Sequence, residues 1–200
     1  ALNYFNKALT MAKLTGNKNQ IAFCLSCMGD IFSAQKELEK ALTYFNDAYN
    51  IANELGAKQQ QCNILSSMAL AYEQGKDFTK ALEYINKSNQ LAEEIGYVDK
   101  LAFGHSAKGQ IYFSQGKFIE ASVAVNECVK LAKQTGNTSL LASAYNQLSD
   151  NYIKLGKFDD AKIASEQSLK LSYENGVINN IRESAHLLSF FYLVLGYYFC

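Results

Sequence analysis

Gly16, Gly56, Gly96, Gly136 and Gly176 follow one another every 40 residues without a slip. Ala1, Ala41, Ala81, Ala121 and Ala161 keep the same period. So do an aromatic column (Phe32, Tyr72, Tyr112, Tyr152, Tyr192), a second column (Leu38, Phe78, Phe118, Phe158, Tyr198) and a column of small residues (Ala8, Ala48, Ser88, Cys128, Ser168). Such a period restricts the fold sharply. One repeat cannot bury its own apolar face, so neighbours must stack and share a continuous core.

Each 40-residue unit carries two helical patterns. Residues 61–74, QCNILSSMALAYEQ, form the first, and Gly75 breaks it. Residues 78–95, FTKALEYINKSNQLAEEI, form the second, with Ala81, Leu82, Ile85, Leu91 and Ala92 at helical spacing. Gly96 then stands where a left-handed C-cap belongs. The chain has no proline and no alternating run, so it offers no strand. Short connections force consecutive helices to lie antiparallel. The reading is all-α, with about ten helices.

These columns resemble the tetratricopeptide repeat. In that family a small residue at position 8 precedes an aromatic at 11, Gly at 15, an aromatic at 17 and Ala at 20. One unit here reads Gly109, Tyr112, Gly116, Phe118, Ala121, and the next reads Ser149, Tyr152, Gly156, Phe158, Ala161. The unit at residues 21–60 gives Gly29, Phe32, Leu38, Ala41, Phe45 and Ala48. The family tryptophan is replaced by Leu25, Leu65, His105, Tyr145 and Ala185; Lys108 stands where Leu is usual; the helix-ending proline is absent; and the period exceeds the 34 residues of the standard repeat. The resemblance implies a right-handed superhelical solenoid of antiparallel helix pairs. It covers the whole chain as one array: 1–20 is the second helix of a cut repeat, 21–60, 61–100, 101–140 and 141–180 are whole repeats, and 181–200 is a first helix. The chain thus reads as a piece of a longer array. Similar long repeats occur in sensor regions of bacterial histidine kinases, in peptide-pheromone receptors and in animal polarity adaptors.

The resemblance also implies where a partner would sit. Family members line a concave groove with first-helix residues at positions 2, 5, 9 and 12. Carried over, these are Phe23, Ser26 and Asp30; Asn63, Ser66, Leu70 and Glu73; Phe103, Ser106, Gln110 and Phe113; Asn146, Asp150 and Ile153; and His186 and Phe190. Apolar anchors among polar groups suit an extended or helical peptide. The chaperone-binding clamp of Lys, Asn and Arg is missing, because Ser26, Asp30, Ser66, Leu70 and Ser106 hold its positions. The expected function is a protein–protein interaction scaffold, part of a larger bacterial signalling protein. A pheromone-receptor-type regulator is the alternative, as is an array that self-associates.

Charge and cysteine content narrow the partners. Lys plus Arg and Asp plus Glu number 19 each, and Arg182 is the one arginine. That balance argues against nucleic acid and against an anionic membrane surface. The apolar run 187–200 is too short to span a bilayer. Five scattered cysteines read as free thiols in a reducing, cytoplasmic compartment. Cys24 and Cys27 stand alone mid-helix, without the four ligands zinc needs. No metal, cofactor or catalytic residue is expected: Asp30 and Asp150 lie three repeats apart, and the glycines are spaced mainly by the repeat, with no Gly-rich phosphate loop. His105 reads as a packing residue. Phe190, Leu193, Val194 and Tyr197 crowd the last helix with apolar side chains, which predicts head-to-tail association through the open ends.

Overall fold

The computed structural model describes residues 2–176, Arg182 and residues 184–189. Among these residues nine α-helices follow one another: α1 Leu2–Leu14, α2 Lys18–Ala34, α3 Leu38–Glu54, α4 Lys58–Gln74, α5 Phe78–Glu94, α6 Val98–Ser114, α7 Phe118–Thr135, α8 Thr138–Lys154 and α9 Phe158–Asn175. Residues 184–189 are helical as well. The described residues are all-α, as the helical spacing within each unit predicts. The chain forms two compact units, Ala1–Lys100 and Leu101–Cys200.

Left-handed residues end the helices where the glycine column places them. Between pairs they are Gly16, Gly56, Gly96, Gly136 and Gly176, with φ from 63° to 70°. Gly136 and Gly176 cap α7 and α9 directly. Inside the pairs the turn differs between units. In the second unit Gly116 and Gly156 take the left-handed position; in the first, Lys36 and Lys76 do, at φ 63° and 62°. Gly75 therefore stops α4 in a right-handed conformation, and the turn itself falls on Lys76. Asn17, Asp77 and Asn137 accept from the backbone N–H groups of Gln20, Lys80 and Leu140, satisfying helix starts.

In the first unit α2 to α5 pack as two antiparallel pairs around Leu25, Ala41, Phe45, Ala48, Ile64 and Met68. Paired helices meet through matched volumes. Gly29 faces Phe45, and in the second unit Gly109 faces Val125. At the next repeat Ser149 bonds Ser165 at 2.7 Å and donates to the carbonyl of Ala161 at 2.9 Å. The aromatic column does similar work. Phe32 stacks on Tyr44 and Tyr72 on Tyr84, each pair with centroids 5.2 Å apart. Lys40 and Lys80 cover the outer faces of Phe32 and Tyr72. Lys18–Glu54 and Lys58–Glu94 are the same surface ion pair, one repeat apart.

The second unit builds its core from Ala102, Val125, Cys128, Leu140, Leu141, Ala144 and Leu148. Polar groups run deeper here. Ser168 donates to the Ala142 carbonyl at 2.8 Å, and Ser184 donates to Asn146 Oδ1 at 2.8 Å with its hydroxyl oxygen 3.0 Å from Ser168 Oγ. Ala124 and Ala164 stand where the first unit has Tyr44 and Tyr84. Tyr112 consequently borders an open cavity of about 290 Å³, with Ile119 and Val123 on its rim.

Candidate functional site

The first helices of successive pairs supply the expected binding residues, so each unit presents its own first-helix face. In the first unit α2 and α4 form it. Phe23 and Leu70 are exposed, at 53% and 41%. Asp30 and Asn63 are exposed beside them; Ser26 and Glu73 are half-buried. Ser66 is different. It is buried, its hydroxyl 2.9 Å from that of Ser88, and Ser88 in turn donates to the Cys62 carbonyl. It ties α4 to α5 and lies inside the helix packing rather than on the open face.

Asp30 sits in a polar cluster that crosses three helices. The walls of the face strip enough water from it to push its carboxyl above the usual range, although the residue keeps solvent contact; a Ser67 hydrogen bond and the Lys100 charge pull the other way. Lys100, in the first turn of α6, is pushed below the usual ammonium range by its burial, against the opposing influence of Cys62 and Asp30. Neither Ser67 nor Lys100 belongs to the expected groove positions. Their signal was their place beside position 5 and position 39 of the repeat, which the family pattern does not mark.

In the second unit α6 and α8 form the face. Phe103 is 51% exposed, Gln110 and Asp150 are exposed, and Phe113 and Ile153 are half-buried. Ser106 is buried and accepts from Gln147 Nε2 at 2.8 Å; Asn146 is buried and accepts from Ser184. Like Ser66, these two position-5 residues join helices instead of facing outward. His186 is exposed. Phe190, Leu193, Val194 and Tyr197 lie outside the described residues.

Two cavities open on this face. The smaller, 120 Å³, is lined by Gly109, Gln110, Phe113, Gln147, Asp150 and Asn151. The larger, 350 Å³, is lined by Asn146, Asp150, Arg182, His186 and Leu187. Asp150 borders both. Gln147 and Asn151, two of the residues that line the smaller, each carry a buried amide oxygen without a hydrogen-bond partner, Oε1 and Oδ1. A column comparison picks out Asn151: its counterparts are Ile31, Ala71 and Ile111.

Cys24 and Cys27 are free thiols on α2, the first buried and the second half-buried. Among the described residues no three metal-ligating side chains gather, and no helix is long and apolar enough to cross a membrane.

The family model described as tetratricopeptide repeat matches residues 20–94 and 100–174. No protein of curated function matches the sequence. Solved structures match the fold at low identity. Aspartyl phosphate phosphatase F from Bacillus subtilis superposes with a TM-score of 0.87 at 19% identity, over 96% of this chain and 50% of that one. A Rap protein complexed with competence and sporulation factor gives 0.84 at 16% identity, over 92% and 51%. A signal-transduction ATPase with a tetratricopeptide repeat sensor, from Pyrococcus horikoshii, gives 0.75 at 20% identity, over 92% and 28%. The chain spans about half the length of the first two and just over a quarter of the third.

Proposed function

The chain belongs to the tetratricopeptide repeat family, and from that premise we propose that it is a non-catalytic interaction scaffold that holds a peptide or protein segment on its first-helix face. One observation carries the reading. Large apolar side chains stand exposed at the groove positions of both units, Phe23 and Leu70 in the first and Phe103 in the second, among Asp30, Asn63, Gln110 and Asp150. Apolar anchors bring the binding energy, and the polar groups between them match a segment's main chain.

A regulator that takes a discrete signalling peptide is the second reading. It is favoured by the likeness to a Rap protein complexed with competence and sporulation factor. Placement in a larger signalling protein draws support from the ATPase whose tetratricopeptide repeats are its sensor. Association through Phe190, Leu193, Val194 and Tyr197 remains a separate proposal, tested by light scattering across a concentration series: mass that stays at one chain throughout contradicts it.

The binding reading is tested with a library of fluorescein-labelled peptides, read by fluorescence anisotropy. Peptides bound saturably by the wild type are expected to weaken about tenfold or more with Phe23→Ala or Phe103→Ala. A library in which nothing binds saturably overturns it.

A further inference from the structure

We propose that the 290 Å³ cavity between α6 and α7 is a seat for one aromatic side chain, a tyrosine or phenylalanine carried by a partner protein, which stacks on Tyr112. The seat is a second interaction surface. At about 3.6 residues per turn, Lys108 and Tyr112 fall on the side of α6 opposite to Phe103 and Gln110. It therefore stands or falls apart from the first-helix reading.

The chain itself shows what fills such a space. Tyr112 belongs to the column of Phe32 and Tyr72, and Ala124 to the column of Tyr44 and Tyr84. In the first unit each ring of the Phe32 column carries a stacked tyrosine, with centroids 5.2 Å apart. Each also carries a lysine: Lys40 Nζ lies 5.6 Å from the Phe32 centroid and Lys80 Nζ 5.1 Å from that of Tyr72. Beside Tyr112 both are replaced. Ala124 stands for the tyrosine and Glu120 for the lysine. The helices do not close over the loss, because the cavity borders Tyr112 and Ala124 alike. An apolar cavity of about 150 Å³ already admits a benzene ring.

The rim changes with the missing ring. Ile119 and Val123 line the cavity and are exposed. Their columns in the first unit read Glu39 and Thr79, and Thr43 and Glu83. The surface thus turns from polar to apolar at the place where the chain's own ring is lost. Loss of the ring alone would have left that surface polar. Apolar side chains held in water around an unfilled space mark a contact surface. Charge does not select an ion for it. Glu120 and Glu127 line the cavity together with Lys108 and His105, so neither sign is favoured. A neutral ring avoids that conflict and gains the offset stacking on Tyr112 that Tyr44 and Tyr84 gain on their own partners.

A lone ring is a weak ligand, so the seat is read by ligand-observed NMR titration on the intact chain. The probe is N-acetyltyrosinamide, compared with N-acetylleucinamide, N-acetylargininamide and p-cresol. Two variants accompany the wild type. Ala124→Tyr supplies the ring that Tyr44 and Tyr84 supply in the first unit, and Tyr112→Leu keeps the wall apolar without a ring to stack on. The tyrosine probe is expected to bind the wild type about fivefold more tightly than the leucine and arginine probes. Its affinity is expected to fall about tenfold in Ala124→Tyr and about threefold in Tyr112→Leu. Ala124→Tyr is also expected to melt higher than the wild type, because its own ring takes the seat. Equal binding of the leucine probe, preference for the arginine probe, or no binding of any probe overturns the proposal. Binding of p-cresol without N-acetyltyrosinamide overturns it as well, since the site then takes a free small aromatic rather than a partner's side chain. So does an affinity unchanged in either variant, or an Ala124→Tyr chain that melts lower or fails to fold, since the space is then not shaped for a ring. None of these outcomes bears on the first-helix reading.

Discussion

Gly29 lies directly against the ring of Phe45. A methyl group at Gly29 would come 2.6 Å from two ring carbons of a side chain that is fully buried. The ring has nowhere to go, because Ala41, Ala48, Ile64 and Met68 surround it. Gly29→Ala is therefore expected to destabilise the chain by about 1–3 kcal/mol. Gly109→Ala is expected to do likewise, since its methyl would collide with Val125 Cγ2. Urea denaturation followed by circular dichroism measures both. Stability equal to the wild type in either case would show that the helix pairs are not held by this close approach.

Lys36 offers the opposite change. It takes a left-handed conformation at φ 63°, in a turn where the second unit uses Gly116 and Gly156. That conformation costs a side-chain-bearing residue about 1–2 kcal/mol, while glycine brings a smaller entropic penalty of about 0.5–1 kcal/mol. Lys36→Gly should stabilise the chain by about 0.5–1 kcal/mol, visible as a rise in Tm. A fall in Tm would contradict this account of the turn.

Asp30 gives a pH signature. Its folded carboxyl is raised chiefly by loss of water on the first-helix face. A raised acid binds its proton more tightly in the folded state. Its contribution to stability is thus present below the unfolded carboxylate value, near 4, and is lost as pH rises through the folded value. Asp30→Asn should accordingly help more at pH 7 than at pH 3.5, and melting curves at the two pH values give the difference. A larger benefit at pH 3.5 would reverse the sign and reject the burial argument.

The thiols follow burial too. Cys128 is fully buried and its thiol is pushed up to about 12, chiefly by that burial. The thiolate is the reactive form, so Cys128 should resist a thiol reagent at pH 8 in the native chain and react once the chain is unfolded in guanidinium. Peptide mapping identifies the labelled residues. Rapid native labelling of Cys128 would mean that α7 opens readily.

Much of the architecture was legible because the repeat writes each structural need five times. A glycine every 40 residues is what a left-handed helix end requires, and the small residues opposite bulky ones are what close helix pairs require. Exposure along the first helices was harder to read. At positions 2 and 9, Phe23, Phe103, Asp30, Gln110 and Asp150 are exposed. At position 5, Ser66, Ser106 and Asn146 are buried, because short polar residues serve either surface. What draws them inward is a hydroxyl or amide on a neighbouring helix, Ser88, Gln147 or Ser184. Those partners lie 22, 41 and 38 residues away, so no local pattern announces them. The orphaned Asn151 was readable in its column, as one amide among apolar residues, once the columns were compared for chemistry as well as for size.

The most direct measurement compares two charged substitutions on the second unit. Phe103 and Val123 are both exposed apolar residues, at 51% and 64%, but Phe103 stands on the first-helix face and Val123 on α7. Peptides bound by the wild type would be titrated against Phe103→Glu and Val123→Glu by fluorescence anisotropy, with circular dichroism confirming that both variants fold. The first-helix account expects binding to collapse in Phe103→Glu and to persist within about twofold in Val123→Glu. Binding kept by Phe103→Glu and lost in Val123→Glu would place the partner on the second helices and contradict it.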